Sequence, residues 1–529
     1  MAIKIAMIGA GAVGWTRRLM HDLLKVPEFA DMTYALTDIS ERNLSMAAQL
    51  CERDVAANKL PAKIISTTDR REALKDADYV ICAIRQGGLE AFATDIDIPL
   101  KYGIDQCVGD TICAGGLMYA QRTIPALLDF CRDIREVSKP GAILLNYANP
   151  MAMNTWACNK YGKVPTIGLC HGVQGGHWQI TRAIEQWAKK EGMLGADVKL
   201  QRSDVDIICA GINHQTWYIK VQFRGMDLTH RLYDMMSAVE DFQENEKVRL
   251  DVMKRFGYYS TESNGHLSEY LPWYRKRPNE INQWISLSSW INGETGGYLR
   301  VCTEGRNWFE TDFPNWLAEP APVIAEQGRS EEHGSYIIES LQTGRVYRGH
   351  FNIQNHNHIT NLPNGCTIEI PGYVDRNGLN MPVVGDLPLA CAATCNVSVR
   401  VQEMAMEAAV HGDVTLLKQA MLHDPLVGAV CNPEEVWQMT DELLAAQAQW
   451  LPQYRANGAT DAAVDRLATH ERNGTRVKTV QTEGAARVHT KTVAEMQENR
   501  DEHRKMAAAS DKGKMTKDEK KSMASEMAR

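Results

Sequence analysis

The apolar run Ile3 to Ile8 breaks into Gly9-Ala10-Gly11-Ala12-Val13-Gly14. This is G-x-G-x-x-G between an expected strand and an expected helix, Trp15 to Lys25. The first glycine permits a tight turn, the second lets backbone approach a pyrophosphate, and the third allows close helix packing. The helix N-terminus then faces the phosphates. The next expected strand, Thr33 to Thr37, ends in Asp38, where an acid binds a ribose 2′-hydroxyl. A plain tight βα turn would leave Asp38 unexplained. The residues therefore predict a dinucleotide site built from Gly9, Gly11, Gly14 and Asp38. The acid favours NAD over NADP, since a 2′-phosphate would be repelled.

The alternation continues. Helix is expected over Arg42–Ala57, Arg70–Leu74 and Gln121–Val137, and strand over Ala62–Ser66, Tyr79–Ala83, Ala142–Leu145 and Thr166–Leu169. Repeated strand-helix units of this spacing predict an α/β fold with a Rossmann-like, doubly wound parallel sheet. Arg85-Gln86-Gly87-Gly88 follows one strand and reads as a turn or as a contact loop. After Trp178 the pattern changes to a mixed α+β domain, with strands expected at Val205–Gly211, Gly365–Val374 and Asn380–Val384 and helix over most of Leu389–Trp450. The expected domains are 1–200, 201–454 and an extension over 455–529. Beyond Tyr454 there is no Phe, Trp or Tyr, so the extension reads as polar, helical or disordered, and unable to build a core.

The net charge of -8, without a basic patch, argues against a nucleic-acid partner. No apolar run reaches the ~18 residues of a membrane span, and the N-terminal run is too short for a signal peptide. Thirteen scattered cysteines without C-x-x-C pairs suit free thiols in a reducing cytoplasm.

One stretch stands apart. The run Thr166–Leu169 ends in Cys170-His171-Gly172, delivering a thiol and an imidazole to a strand end, where α/β proteins build sites. Cys170 could equally be a core thiol and His171 a helix cap. His214 follows a second strand end. Sulfur plus imidazole suits a transition metal, and two protein ligands leave positions open for substrate. His356 and His358 form a rival cluster. Glu262 and Glu269 could form a glycosidase carboxylate pair or lie solvated on a helix. No G-x-S-x-G supports a serine triad.

The segments Gly9–Gly14, Asn146-Tyr147-Ala148-Asn149-Pro150, Cys170-His171-Gly172-Val173-Gln174-Gly175, Gly211-Ile212-Asn213-His214, Thr261-Glu262-Ser263, His266, Glu269-Tyr270 and Asn361-Leu362-Pro363 resemble glycoside hydrolase family 4, nearest its α-galactosidase branch. The resemblance runs to about Leu451. It implies a lactate/malate-dehydrogenase-like fold, NAD, and a divalent metal, usually Mn2+, at Cys170 and His214. It implies hydrolysis of an α-glycoside by oxidation at C3, deprotonation at C2, elimination at C1, water addition and re-reduction. Asn149 would bind sugar hydroxyls and His171 would protonate the leaving oxygen. For the C2 base, Tyr258, Glu262 and His266 compete; Asp110 is a further pocket candidate, or a helix cap. Gly172 departs from the Ser usual in the α-galactosidase branch and is closer to α-glucuronidase and some α-glucosidase members, which leaves the sugar open. The family implies a homodimer or homotetramer. A hydroxy-acid dehydrogenase on the same fold, or a non-catalytic nucleotide-sensing scaffold, are the rival readings.

Overall fold

Short apolar runs between amphipathic helices give strands buried on both faces, the pattern of a parallel sheet covered by helices. The computed structural model describes residues 2–286, 289–479 and 487–501, and it contains that sheet. Its first six strands are β1 (Lys4–Ile8), β2 (Thr33–Thr37), β3 (Lys63–Ser66), β4 (Tyr79–Cys82), β5 (Ile143–Asn146) and β6 (Thr166–Gly168). They lie in the order β3-β2-β1-β4-β5-β6, all parallel. This is a doubly wound order, with the crevice where it reverses, between β1 and β4.

The sheet does not stop at β6. Strands β7 (Val205–Ile212), β8 (Gln215–Phe223), β9 (Met226–Asp227), β10 (Tyr259–Ser260), β11 (Tyr347–Gln354), β12 (Thr367–Asp375) and β13 (Gly378–Asn380) extend it antiparallel, in the order β6-β11-β12-β7-β8-β10. The extension is joined at single points. Asn352 of β11 pairs with Gly168, and Glu369 of β12 pairs with Gly211. Asn352 and Glu369 also face each other across β11 and β12. Gly168, Asn352, Glu369 and Gly211 thus form one transverse row over four strands. A Cβ at Gly168 would stand 2.9 Å from Cβ of Asn352, and one at Gly211 2.9 Å from Cα of Thr216. Glycine is what lets the strands close on this row.

A helical layer covers the sheet, led by Cys113–Val137 and Leu389–His411. The first of these starts two turns earlier than the expected Gln121. Its Gly115 and Gly116 are close-packing positions rather than breakers: a Cβ at Gly115 would lie 2.6 Å from the Gly109 carbonyl. The helix Gly88–Lys101 carries Pro99, which hides it from a pattern reading. The expected strand Asn380–Val384 is corrected: pairing ends at Asn380 in β13, and 381–384 leave the ladder.

The extension past Tyr454 is better anchored than its composition suggests. The helix Ala459–Asn473 buries Thr460 and Ala463, and Arg466 forks onto Asp441 at 2.9 and 2.6 Å. Further on, the Val488 N–H donates to the Thr295 carbonyl at 3.3 Å and the Lys491 N–H to Glu304 at 3.0 Å. Residues 480–486 and 502–529 of the expected extension lie outside the described residues.

Candidate active site at the sheet seam

Beyond the transverse row, two strand ends turn toward each other. Cys170 stands two residues past β6 and His214 two residues past β7. Glu262, between β10 and the helix Asn264–Tyr270, completes the group. The Cys170 thiol lies 3.1 Å from Glu262 Oε1, and His214 Nε2 lies 3.9 Å from the same oxygen. All three donor atoms fall within 4.8 Å of one another, the one such His/Cys/Asp/Glu group of three or more among the described residues. Sulfur, imidazole and carboxylate on one point is a divalent-metal donor set.

Protonation follows from burial and neighbours. Burial, then the Glu262 and Glu369 carboxyls, push the Cys170 thiol well up. The N–H of Gly172 donates to its sulfur at 3.4 Å. Burial pushes His214 down to about 4, so its imidazole is neutral near pH 7 and can offer a lone pair. Burial alone would raise Glu262, but the imidazoles of His214, His266 and His171 outweigh it and hold the carboxyl at about 2.

Which nitrogen of His214 is free is set by the shell behind it. Nδ1 lies 3.1 Å from the Thr111 hydroxyl, and that hydroxyl donates to Asp110 Oδ1 at 2.9 Å. Thr111 has spent its proton, so it accepts the Nδ1–H of His214, and Nε2 carries the lone pair. Asp110 is buried. Its Oδ2 accepts from Asn149 Nδ2 at 3.0 Å and from Arg85 at 3.3 Å. Asn149 thereby turns its oxygen, Oδ1, to other partners. The Arg85 guanidinium is itself framed by the rings of Phe92, Tyr119 and Tyr298.

His266 is buried with its ring centroid 4.9 Å from that of His214. Its Nδ1 lies 3.0 Å from the Ser263 hydroxyl and 4.0 Å from Glu262 Oε2. The Cys170–His171 turn is gripped from the other side. His333 Nε2 lies 3.1 Å from the Cys170 carbonyl, which can only accept, and His333 Nδ1 lies 2.7 Å from the Tyr347 hydroxyl. Glu332, buried, lies 3.9 Å from His171 Nδ1. The His171 side chain is otherwise exposed, and it makes no capping hydrogen bond to the helix Gly172–Lys190.

Of the sequence candidates, Cys170, His214, Glu262, His266, Asp110, Asn149 and His171 come together. Tyr258 does not: its ring packs edge-on against His230 at 5.6 Å, because Tyr259 beside it takes the inward face against Gln179 and Arg249. The Glu262–Glu269 pair is also corrected. Glu269 spends its oxygens on the backbone N–H groups of Cys107, Val108 and Gly109, and so props up the loop that presents Asp110. His356 and His358 are joined by no third donor among the described residues. Asn355 between β11 and that turn organises it, taking the N–H of His358 at 2.9 Å. Sequence reasoning missed Thr111, Glu332, His333 and Glu369. Only Thr111, beside Asp110, carried a local signal.

At the other strand end, Gly9 has φ +87, and a Cβ there would overlap the Ala83 carbonyl of the neighbouring strand end. A Cβ at Gly11 would lie 2.8 Å from Asp38 Oδ2, which accepts the Gly11 N–H at 2.8 Å. Around Gly14 there is open space. The third glycine therefore does not serve helix packing as expected; it leaves the helix start uncovered.

Fold and site define a doubly wound α/β protein with a metal-donor cluster across the crevice from a glycine-rich nucleotide loop. Known proteins agree with that class. Residues 4–186 match the model of family 4 glycosyl hydrolase, and residues 209–427 that of the family 4 glycosyl hydrolase C-terminal domain. An α-galactosidase of Rhizobium meliloti is 56% identical over 508 residues, covering 96% of this chain and 99% of the relative. An α-galactosidase of Bacillus subtilis is 32% identical over 85% of this chain and 100% of its own length. A 6-phospho-β-glucosidase of Thermotoga maritima, solved with manganese, NAD+ and glucose-6-phosphate, superposes with a TM-score of 0.67 at 22% identity, covering 85% of this chain and 99% of that one. The chain belongs to the family 4 glycosyl hydrolases and is a glycoside hydrolase.

Proposed function

We propose that this enzyme hydrolyses α-galactosides with the help of NAD+ and a divalent cation, Mn2+ in the first instance. The observation that carries the reading is the convergence of Cys170, His214 and Glu262 on one point, across the crevice from the Gly9–Gly14 loop. The galactose assignment rests on the 56% identity to the Rhizobium meliloti α-galactosidase.

The residues fit both groups. The thiol and the neutral imidazole suit a divalent transition metal. The open space at Gly14 fits a pyrophosphate over the helix N-terminus, and Asp38, held beside it by the Gly11 N–H, fits a ribose diol. The chemistry the two groups supply when bound is hydride exchange at sugar C3 and Lewis-acid polarisation there.

The chain does the rest. Cys170 and His214 hold the cation, and Thr111 fixes the tautomer of His214. Asn149, locked through Nδ2 onto Asp110, offers Oδ1 to a sugar hydroxyl. The proton from C2 passes to His266. Both oxygens of Asp110 are already taken by Thr111, Asn149 and Arg85, whereas His266 Nε2 has no hydrogen-bond partner among the described residues. His171, at the exposed mouth beside Glu332, gives its proton to the leaving oxygen at C1. Water reaches C1 from the same exposed side. Thirteen free cysteines suit a cytoplasmic enzyme.

The test is a panel of 4-nitrophenyl α-galactoside, α-glucoside, α-glucuronide and α-galacturonide with NAD+ and Mn2+. The α-galactoside is expected to be cleaved fastest, and only with both additions. Full activity after chelation and cofactor stripping overturns the mechanism. Preference for a uronide overturns the sugar.

A further inference from the structure

Gly172 opens the helix Gly172–Lys190 and is buried. A Cβ built on it would overlap both Oε1 and Cδ of Glu262. The Glu262 carboxylate occupies the volume that any side chain at 172 would need. The φ of Gly172 lies outside the left-handed region, so its backbone does not call for glycine. The neighbouring carboxylate does.

Glu262 is held there against its own preference. Its φ is +67, a left-handed conformation that non-glycine residues avoid and that marks functional positions when the surroundings enforce it. Both flanks enforce it. On one side the Thr261 N–H donates to the Thr216 carbonyl at 2.8 Å, and the two threonine hydroxyls lie 2.6 Å apart. On the other side Ser263 caps the helix Asn264–Tyr270, accepting the His266 N–H at 3.2 Å. The strained residue is pinned between an edge strand and a capped helix, with its carboxylate aimed across Gly172 at Cys170.

We propose that Glu262 is a third protein ligand of the cation, and that Gly172 is the vacancy that admits it. This deepens the metal-dependent reading above and rests on it. Two donors bound to one ion at ~2.0–2.3 Å lie roughly 3–4 Å apart at right or tetrahedral angles. The separations of Oε1 from Cys170 Sγ and His214 Nε2, 3.1 and 3.9 Å, match that range. Thiolate plus carboxylate supply two negative charges, neutralising a divalent cation. In a six-coordinate ion, three positions remain, enough for two sugar oxygens and one water. A serine at 172 would displace the carboxylate and leave a two-ligand centre.

The test uses the full chain, stripped of metal, with free Mn2+ read by electron paramagnetic resonance during titration with MnCl2. Glu262→Gln and Gly172→Ser are each expected to weaken Mn2+ binding at least ten-fold. The double variant is expected to be no weaker than either, since the serine has already evicted the carboxylate. NAD+ binding by titration calorimetry should be unchanged throughout, which shows that the fold persists. Glu262→Gln adds no volume, so it carries the test even if Gly172→Ser fails to fold. Unchanged Mn2+ affinity in Glu262→Gln, with kcat alone reduced, overturns the ligand role and makes Glu262 a proton acceptor. Additive losses in the double variant overturn the link to Gly172. If Cys170→Ser abolishes Mn2+ binding while Glu262→Gln does not, only this proposal falls. If the parent chain binds no Mn2+, the functional reading falls with it.

Discussion

The Thr111 hydroxyl stands between His214 Nδ1, 3.1 Å away, and Asp110 Oδ1, 2.9 Å away. One proton direction runs through the three groups: His214 donates to Thr111, and Thr111 donates to Asp110. The free lone pair of His214 is thereby placed on Nε2, facing Glu262. Thr111→Val keeps the shape and removes the acceptor. The Tyr270 hydroxyl, 3.4 Å from Nδ1, is too distant to replace it well. The variant should bind Mn2+ roughly ten- to a hundred-fold more weakly, while Thr111→Ser stays close to the parent. Calorimetric Mn2+ titration of both variants distinguishes this outcome from simple damage to the fold.

The thiol gives metal binding a pH dependence with a defined sign. Burial and the Glu262 carboxylate hold the Cys170 thiol protonated near neutrality, and the cation needs the thiolate. Binding must therefore expel a proton, and Mn2+ affinity should rise with pH. His214, at about 4, is already neutral above about pH 5 and adds no slope there. Affinities at pH 6, 7 and 8 should improve by about ten-fold per pH unit. Calorimetry in buffers of different ionisation enthalpy should report close to one proton released per ion. A flat profile would mean that the thiol is already ionised or is no ligand.

The first half of this fold was legible because its signals are local. Strand, glycine loop, helix and Asp38 follow one another in sequence, and Thr33–Thr37 and Arg70–Leu74 have the expected bounds. Cys170 and His214 were legible for the same reason, as polar residues at the ends of apolar runs. The seam was not. Gly168, Asn352, Glu369 and Gly211 meet only because β11 and β12 insert between β6 and β7, a pairing no local pattern encodes. Tyr258 was misplaced because alternation along an edge strand decides between it and Tyr259. Glu262 was recognised as a site residue, but its closeness to Gly172 is a contact over ninety residues of chain.

Glu369 makes the seam sensitive to pH in the opposite sense to the metal. Burial and then the Glu262 carboxylate raise it to about 8, against the weaker pull of Asn213, Asn352 and Thr216. An unfolded glutamate titrates near ~4.3. Between those values the native state keeps a proton that the unfolded state has lost. Its contribution to stability is thus complete below about pH 4 and disappears as pH climbs through about 8. Glu369→Gln mimics the protonated form at every pH. Its melting temperature should lie close to the parent's near pH 5 and exceed it by a growing margin toward pH 8, where the unfolding free energies differ by on the order of a few kcal/mol. Parallel melting curves across that range would show that Glu369 is ionised in the native state.

The C-terminal segment reaches the site through one short chain of contacts. Val488 N–H holds the Thr295 carbonyl, Gly296 N–H holds Gln106 at 2.7 Å, and Tyr298 N–H holds Cys107 at 3.1 Å. Arg487 lies against Gly296 and 3.6 Å from Asp97. The loop so gripped, 106–109, is the one Glu269 supports from below and the one that presents Asp110. Ending the chain after Thr479 removes this strap. It keeps the helix Ala459–Asn473, the Arg466–Asp441 fork and the Val477 N–H bond to Gln438. The melting temperature should therefore change little. With Asp110 less firmly placed, Asn149 and the Thr111–His214 contact lose their common anchor, and kcat/KM should fall about ten-fold. Steady-state kinetics on an aryl α-galactoside beside a thermal melt separate the two effects. A large drop in melting temperature would mean that the strap supports the fold as a whole, and unchanged kinetics that the loop keeps Asp110 in place without it.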